Sequence, residues 1–154
     1  MSTRARIGIE LADGTVLSSY CHNDGYMSGL GILLVDHYSD AAKLLEAINL
    51  GDASTWGTVV HPTGEHTFAS REQGVNVYYE RDRNEEDCGP WMFDNMKEFV
   101  NCSNEDFGYA YTLDGLWLCA NECDITSAGR KKVNYDAAYE IEAEAAGSFR
   151  LTIA

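Results

Sequence analysis

The sequence predicts an α+β fold in which an antiparallel sheet built from β-hairpins carries two or three helices, packed mainly on one face. Three observations predict it. Two segments of alternating apolar and polar residues meet at tight Asp-Gly turn signals, Asp13-Gly14 and Asp114-Gly115, and such hairpins demand antiparallel pairing. One segment repeats its apolar residues at helical spacing. The strands and helices interleave without the regular repeat of parallel α/β units.

Residues 6–11 and 15–21 alternate about Ala12-Asp13-Gly14, so they form the first hairpin, with Gly14 free to take a positive φ. The polar turn His22-Asn23-Asp24-Gly25 follows. Residues 26–38 are apolar but broken by glycine, which predicts an irregular or helical connection with its best helix over 30–37. Ser39 and Asp40 are capping residues for a helix whose Ala41, Leu44, Leu45 and Ile48 share one face and which Gly51 ends. Residues 52–73 read as loop, with a short strand over 58–60. Residues 74–80 alternate and are β-rich, which predicts a strand. Pro90 opens a helix through Trp91, Met92, Met96, Phe99 and Val100. A second hairpin spans 107–119. Residues 136–146 favour helix by propensity, yet Tyr139, Ile141 and Ala143 alternate as a strand would.

Composition bounds the class. With 45% hydrophobic residues and seventeen aromatics among 154 residues, the chain can build a substantial core, and residues 1–154 read as a single globular domain. The N-terminus carries no apolar export signal, and the longest apolar stretch is far short of a bilayer span, so a cytoplasmic protein is expected. Five cysteines, Cys21, Cys88, Cys102, Cys119 and Cys123, are an odd, scattered set that suits reduced thiols. Cys119 and Cys123 lie four apart, but no Cys-x-x-Cys pair or clustered histidines complete a zinc site.

Charge is the strongest functional signal. Twenty-five acids face eleven bases, a formal charge of −14. Residues 80–124 hold twelve of the acids and only three bases. Such a field repels nucleic acid and anionic membrane and speeds encounter with basic protein surfaces. Glu85, Glu86, Asp87, Asp94, Glu98, Glu105 and Asp106 are the candidate partner-binding residues, expected to form one negative surface. Solvated faces that merely keep the protein soluble, and divalent-cation binding, are the alternative accounts of the same acids.

The densest cluster of functional groups is Tyr20-Cys21-His22-Asn23-Asp24-Gly25-Tyr26 at a strand end. Read as structure, its polar residues make a turn and its tyrosines pack. Read as a site, Tyr20, His22, Asp24 and Tyr26 would line a small-ligand pocket, and a nucleotide ligand would also need Arg4, Arg6, Arg71 or Arg130–Lys132 to converge on it. His37 reads as structural, and His61 and His66 as parts of a surface turn. No phosphate loop, nucleophile elbow, zinc-protease motif or EF-hand is present, so no catalytic residue, metal or cofactor is assigned.

Arg6-x-Gly8-Ile9-Glu10, Asp13-Gly14-Thr15-Val16 and Ser19-Tyr20-Cys21-His22-x-Asp24-Gly25-Tyr26 resemble a family of small bacteriophage and prophage proteins, as do Leu34, His37-Tyr38 and Leu50-Gly51-Asp52. The similarity covers roughly the first third of the chain, and 75–83 more weakly. It implies a phage origin and an accessory role in infection, and brings no reaction. The leading expectation is therefore a non-enzymatic phage accessory protein that inhibits a host nucleic-acid-handling or defence protein by docking, like a nucleic-acid mimic, on its basic surface. A small-ligand binder sequestering a nucleotide signal through the Tyr20–Tyr26 turn is the alternative, and an enzyme of unknown type the third.

Overall fold

The computed structural model describes residues 2–101, 105–120, 138–143 and 149–152. Strands β1 (Ala5–Glu10) and β2 (Val16–Cys21) form the first hairpin, with Gly14 at φ +88° in the turn. A single π-helical turn, Met27–Gly31, runs into helix α1 (Ile32–His37), and α2 (Ala41–Asn49) follows, capped by Asp40, whose side chain accepts from the Ala42 N–H. Then come β3 (Ala53–Thr55), β4 (Val77–Tyr78), α3 (Tyr79–Arg83), β5 (Trp91–Phe93), α4 (Met96–Asn101), β6 (Phe107–Tyr111), β7 (Trp117–Ala120), β8 (Ala138–Ala143) and β9 (Phe149–Thr152).

One sheet runs β4-β3-β2-β1-β6-β7-β8-β9, with β5 also paired to β2. It is mixed, which overturns the expected antiparallel sheet of hairpins. β6 lies parallel to β1 and β3 parallel to β2. The hairpin signals specify only neighbours in sequence. Which edge the second hairpin joins is decided by side chains far apart in the chain, and it docks on β1, matching Ile7 with Tyr109 and Ile9 with Tyr111. Residues 138–143 are strand, because the free edge of β7 satisfies their backbone and outweighs alanine and glutamate propensity.

The helices are divided between the two faces of the sheet, α1 and α2 on one and α4 on the other. Ala5, Ile7, Ile9, Tyr109 and Trp117 on one side of the sheet pack against Leu34, Leu44, Ala47 and Ile48 from α1 and α2. The opposite side, with Val16, Ala110 and Leu118, is covered by Met96, Phe99 and Val100 of α4. Gly8 makes this possible, since a Cβ there would stand 2.7 Å from Val16 Cγ1 and 2.9 Å from Phe99 Cε1.

Three local expectations also change. The predicted strand over 74–80 shortens to Val77–Tyr78 and turns into α3, because the Asp82 carboxylate accepts from the Tyr78 N–H at 2.8 Å and winds the chain. The strand over 58–60 reduces to one bridge between Val59 and Val75. The helix expected from Pro90 begins only at Met96, since residues 91–93 instead pair with the edge of β2 that β3 leaves open.

Candidate functional site

Asn95 sets the geometry of the acidic region. Its Oδ1 accepts from the Glu98 N–H at 2.8 Å, and a Glu98 oxygen reaches back to the Asp94 N–H at 3.3 Å, so the two ends of the first turn cap each other. The chain before the cap is thereby free to run extended along β2. Ser18 ties it there, donating to the Trp91 carbonyl at 2.9 Å while accepting from Arg6 Nη1 at 3.1 Å. Phe93 packs edge-on against Phe99, with ring centroids 5.4 Å apart. Trp91 and Met92 are left outside, 64% and 46% exposed.

Between this strand, α4 and β1 lies an open cleft of about 600 Å³. Trp91, Met92 and Phe93 form its apolar side. Asp94, Glu98 and Glu105 supply three carboxylates against the single guanidinium of Arg6. Arg6 is mostly buried and stands 3.7 Å from Glu105. Three of the seven acids chosen from sequence therefore meet at one cleft.

The others extend the field rather than the cleft. Glu85 pairs with Arg83 at 2.9 Å, and Asp106 accepts from the Arg4 N–H at 3.1 Å. Glu86 and Asp87 are exposed, with Asp87 at φ +59°. Asp52 connects the two groups. Its carboxyl is raised above the usual range, first by burial and further by Glu105, against the lowering effects of Arg6 and the Tyr20 N–H. Its backbone N–H donates to the Cys88 carbonyl at 2.7 Å, and the Cys88 thiol is in turn raised, first by desolvation and then by Glu85, Asp52, Glu80 and Asp87. Asp52 thus feels Glu105 of the cleft, and Cys88, bonded to it, feels Glu80, Glu85 and Asp87.

The Tyr20–Tyr26 turn is divided between two places. Tyr20 Oη lies 2.7 Å from His22 Nδ1, and burial raises its phenol. Asp24 and Tyr26 instead line a separate hollow of about 240 Å³ with Gly29, Leu30, Leu33 and Trp56. None of Arg4, Arg6 or Arg71 lines that hollow. Most polar groups of the turn are used internally. The Asn23 amide donates to Ser54 O and accepts from Ser2 Oγ, both at 3.0 Å, and the Gly25 carbonyl accepts from the buried Tyr109 hydroxyl at 2.7 Å. Gly25 itself is demanded by packing, because a Cβ would meet Ala5 Cβ at 2.8 Å.

Among the histidines and cysteines, the His66 side chain, Cys21 and Cys119 are built into the interior. The His66 side chain is fully buried, accepting from the Glu72 N–H through Nδ1 at 2.9 Å and facing Asp82 through Nε2 at 3.2 Å. His61 bonds to Glu46, and His37 is exposed at the end of α1. Cys21 is buried, which pushes its thiol up to about 12, and Cys119 is buried as well. Cys102, Cys123 and Arg130–Lys132 lie outside the described residues, and the Cys119–Cys123 zinc reading with them. Among the described residues no group of three or more potential metal ligands occurs, and no helix is long and apolar enough to cross a membrane.

Sequence reasoning did not single out Arg6 or the Trp91–Phe93 strand as parts of the acidic site. The signal that could have found them is Asn95-x-x-Glu98, a helix-start pattern placing the N-terminus of α4 five residues later than Pro90 suggests. No protein-family model, curated protein or solved structure matches the chain.

Proposed function

We propose that this chain works by binding, as an acidic accessory protein of a bacteriophage that docks on the basic surface of a host nucleic-acid-handling or defence protein and inhibits it. The observation that carries this reading is the cleft in which Asp94, Glu98 and Glu105 surround exposed Trp91 and Met92. Protein interfaces are built this way, with an aromatic anchor inside a polar rim, and the surplus of carboxylates selects a cationic partner. Glu86 and Asp87, like Asp94 and Glu98, make no ion pair among the described residues, so their charge is available to an approaching surface. Phage origin rests on the N-terminal resemblance alone.

The test is affinity capture from host lysate with the full chain and with a variant carrying Glu85→Lys, Glu86→Lys, Asp94→Lys and Glu98→Lys. The expected result is a specific nucleic-acid-binding protein retained by the first, lost with the second, and displaced by added duplex DNA. A partner retained by both, or indifferent to DNA, would overturn the proposal.

A further inference from the structure

We infer that the cleft beside β5 receives an arginine side chain from an extended basic segment of the partner, with Trp91 as the surface on which the guanidinium stacks. This rests on the docking reading above and names its anchor. Trp91 and Met92 are neighbours on a strand, so their side chains leave opposite faces, yet both are exposed. Phe93 alone ties β5 to the core, through Phe99, so the Trp91–Met92 end of the strand stands clear of it, and among the described residues β5 pairs only with β2. An indole 64% exposed gives the protein little packing in return, while its face attracts a cation.

The charges around it choose the sign and the shape of the guest. Three carboxylates and one guanidinium leave the cleft with an excess of negative charge, and that guanidinium is already engaged by Ser18 and Glu105. An anion would meet Asp94, Glu98 and Glu105. A cation meets them as partners. Arginine fits better than lysine because its planar group can stack on the indole while its N–H fork bonds carboxylates in the same plane, and because it is less strongly hydrated.

The probe is a fluorescently labelled hexaarginine peptide, titrated into the full chain and followed by anisotropy, beside an equally labelled hexalysine. Hexaarginine should bind several-fold more tightly than hexalysine. Trp91→Ala should weaken it roughly tenfold and Trp91→Phe by less. Asp94→Asn with Glu98→Gln should weaken it on the order of tenfold. Thermal unfolding of Trp91→Ala should match the parent, since the side chain is mostly exposed. Unlabelled hexaarginine should also perturb the intrinsic fluorescence through Trp91, because Trp56 and Trp117 are only 7% and 2% exposed.

Equal affinity for the two peptides, absence of hexaarginine binding, or an unchanged affinity in Trp91→Ala would each overturn the anchor. The docking reading is judged separately. If Trp91→Ala binds as the parent while the four-site lysine variant does not bind, the anchor falls and docking stands. If the four-site variant also binds as the parent, both fall.

Discussion

Asn76 holds the long connection between β3 and β4 to the rest of the molecule. It is fully buried. Its Oδ1 accepts from the Gly57 N–H at 2.6 Å and lies 3.2 Å from the Tyr38 hydroxyl, while Nδ2 donates to Tyr78 Oη at 3.0 Å. Tyr78 in turn donates to the Ala47 carbonyl of α2 at 2.7 Å, so one amide couples loop, strand and helix. Asn76→Ala should cost about 2–3 kcal/mol in urea unfolding, because it strands several buried groups at once. Asp24 shows the opposite balance. It is exposed at φ +60°, so its place in the turn is set by backbone conformation. Asp24→Gly should be neutral or stabilising and Asp24→Ala destabilising by about 1 kcal/mol in the same assay. An equal cost for the two would mean that the carboxylate, rather than the left-handed backbone, is what the turn needs.

At the scale of elements, β5 and α4 behave as one unit. The strand satisfies an edge of β2, the helix covers the sheet face beside it, and Asn95 joins them. Asn95→Ala should destabilise the protein by about 1 kcal/mol through the lost cap and should weaken hexaarginine binding as well, since it loosens the turn that aims Asp94 and Glu98. Stability loss without any loss of binding would separate the cap from the site. Gly8→Ala tests the same unit from beneath. A methyl group would press on Phe99, and overpacking of about 1–3 kcal/mol is expected, read as a lower urea midpoint. The hairpins and α2 were legible because their turn and cap residues lie within a few positions of what they control. The strand at Trp91–Phe93 was not, because the open edge that recruits it lies more than seventy residues earlier.

Across the whole molecule, the net charge of −14 opposes compactness while it favours a basic partner. Added salt should therefore act in opposite directions, raising Tm and weakening hexaarginine binding between about 0.05 and about 0.5 M. Two carboxyls give the pH dependence a sign. Asp52 is raised above 3.8, mainly by burial, so its contribution is fully favourable below 3.8 and is lost as pH rises through its folded value. Asp52→Asn should stabilise the protein near neutrality, with the gain vanishing in acid. Asp82 is the reverse. Burial opposes its ionisation, but hydrogen bonds from Arg81 and the Tyr78 N–H outweigh that and hold it below 3.8. Its contribution is present above 3.8 and is lost as pH falls through the lowered value, so Asp82→Asn should destabilise at neutral pH and converge on the parent in acid. Urea midpoints from about pH 3 to about pH 8 would show the two variants diverging in opposite directions.

What the sequence by itself determined is local or additive. Hairpin turns, the Asp40 cap, the Gly51 stop and the total charge each depend on neighbouring residues or on a count, and the acidic candidates Asp94, Glu98 and Glu105 followed from that count. Tertiary structure alone decided how distant pieces met: β6 beside β1 in parallel, α4 on the face opposite α2, and Arg6 under the same cleft as Trp91. The physical reason is that an unpaired strand edge or a bare apolar face is satisfied by whichever distant segment fits its hydrogen bonds and volume, and that fit is a property of the assembled surfaces rather than of any window of the chain.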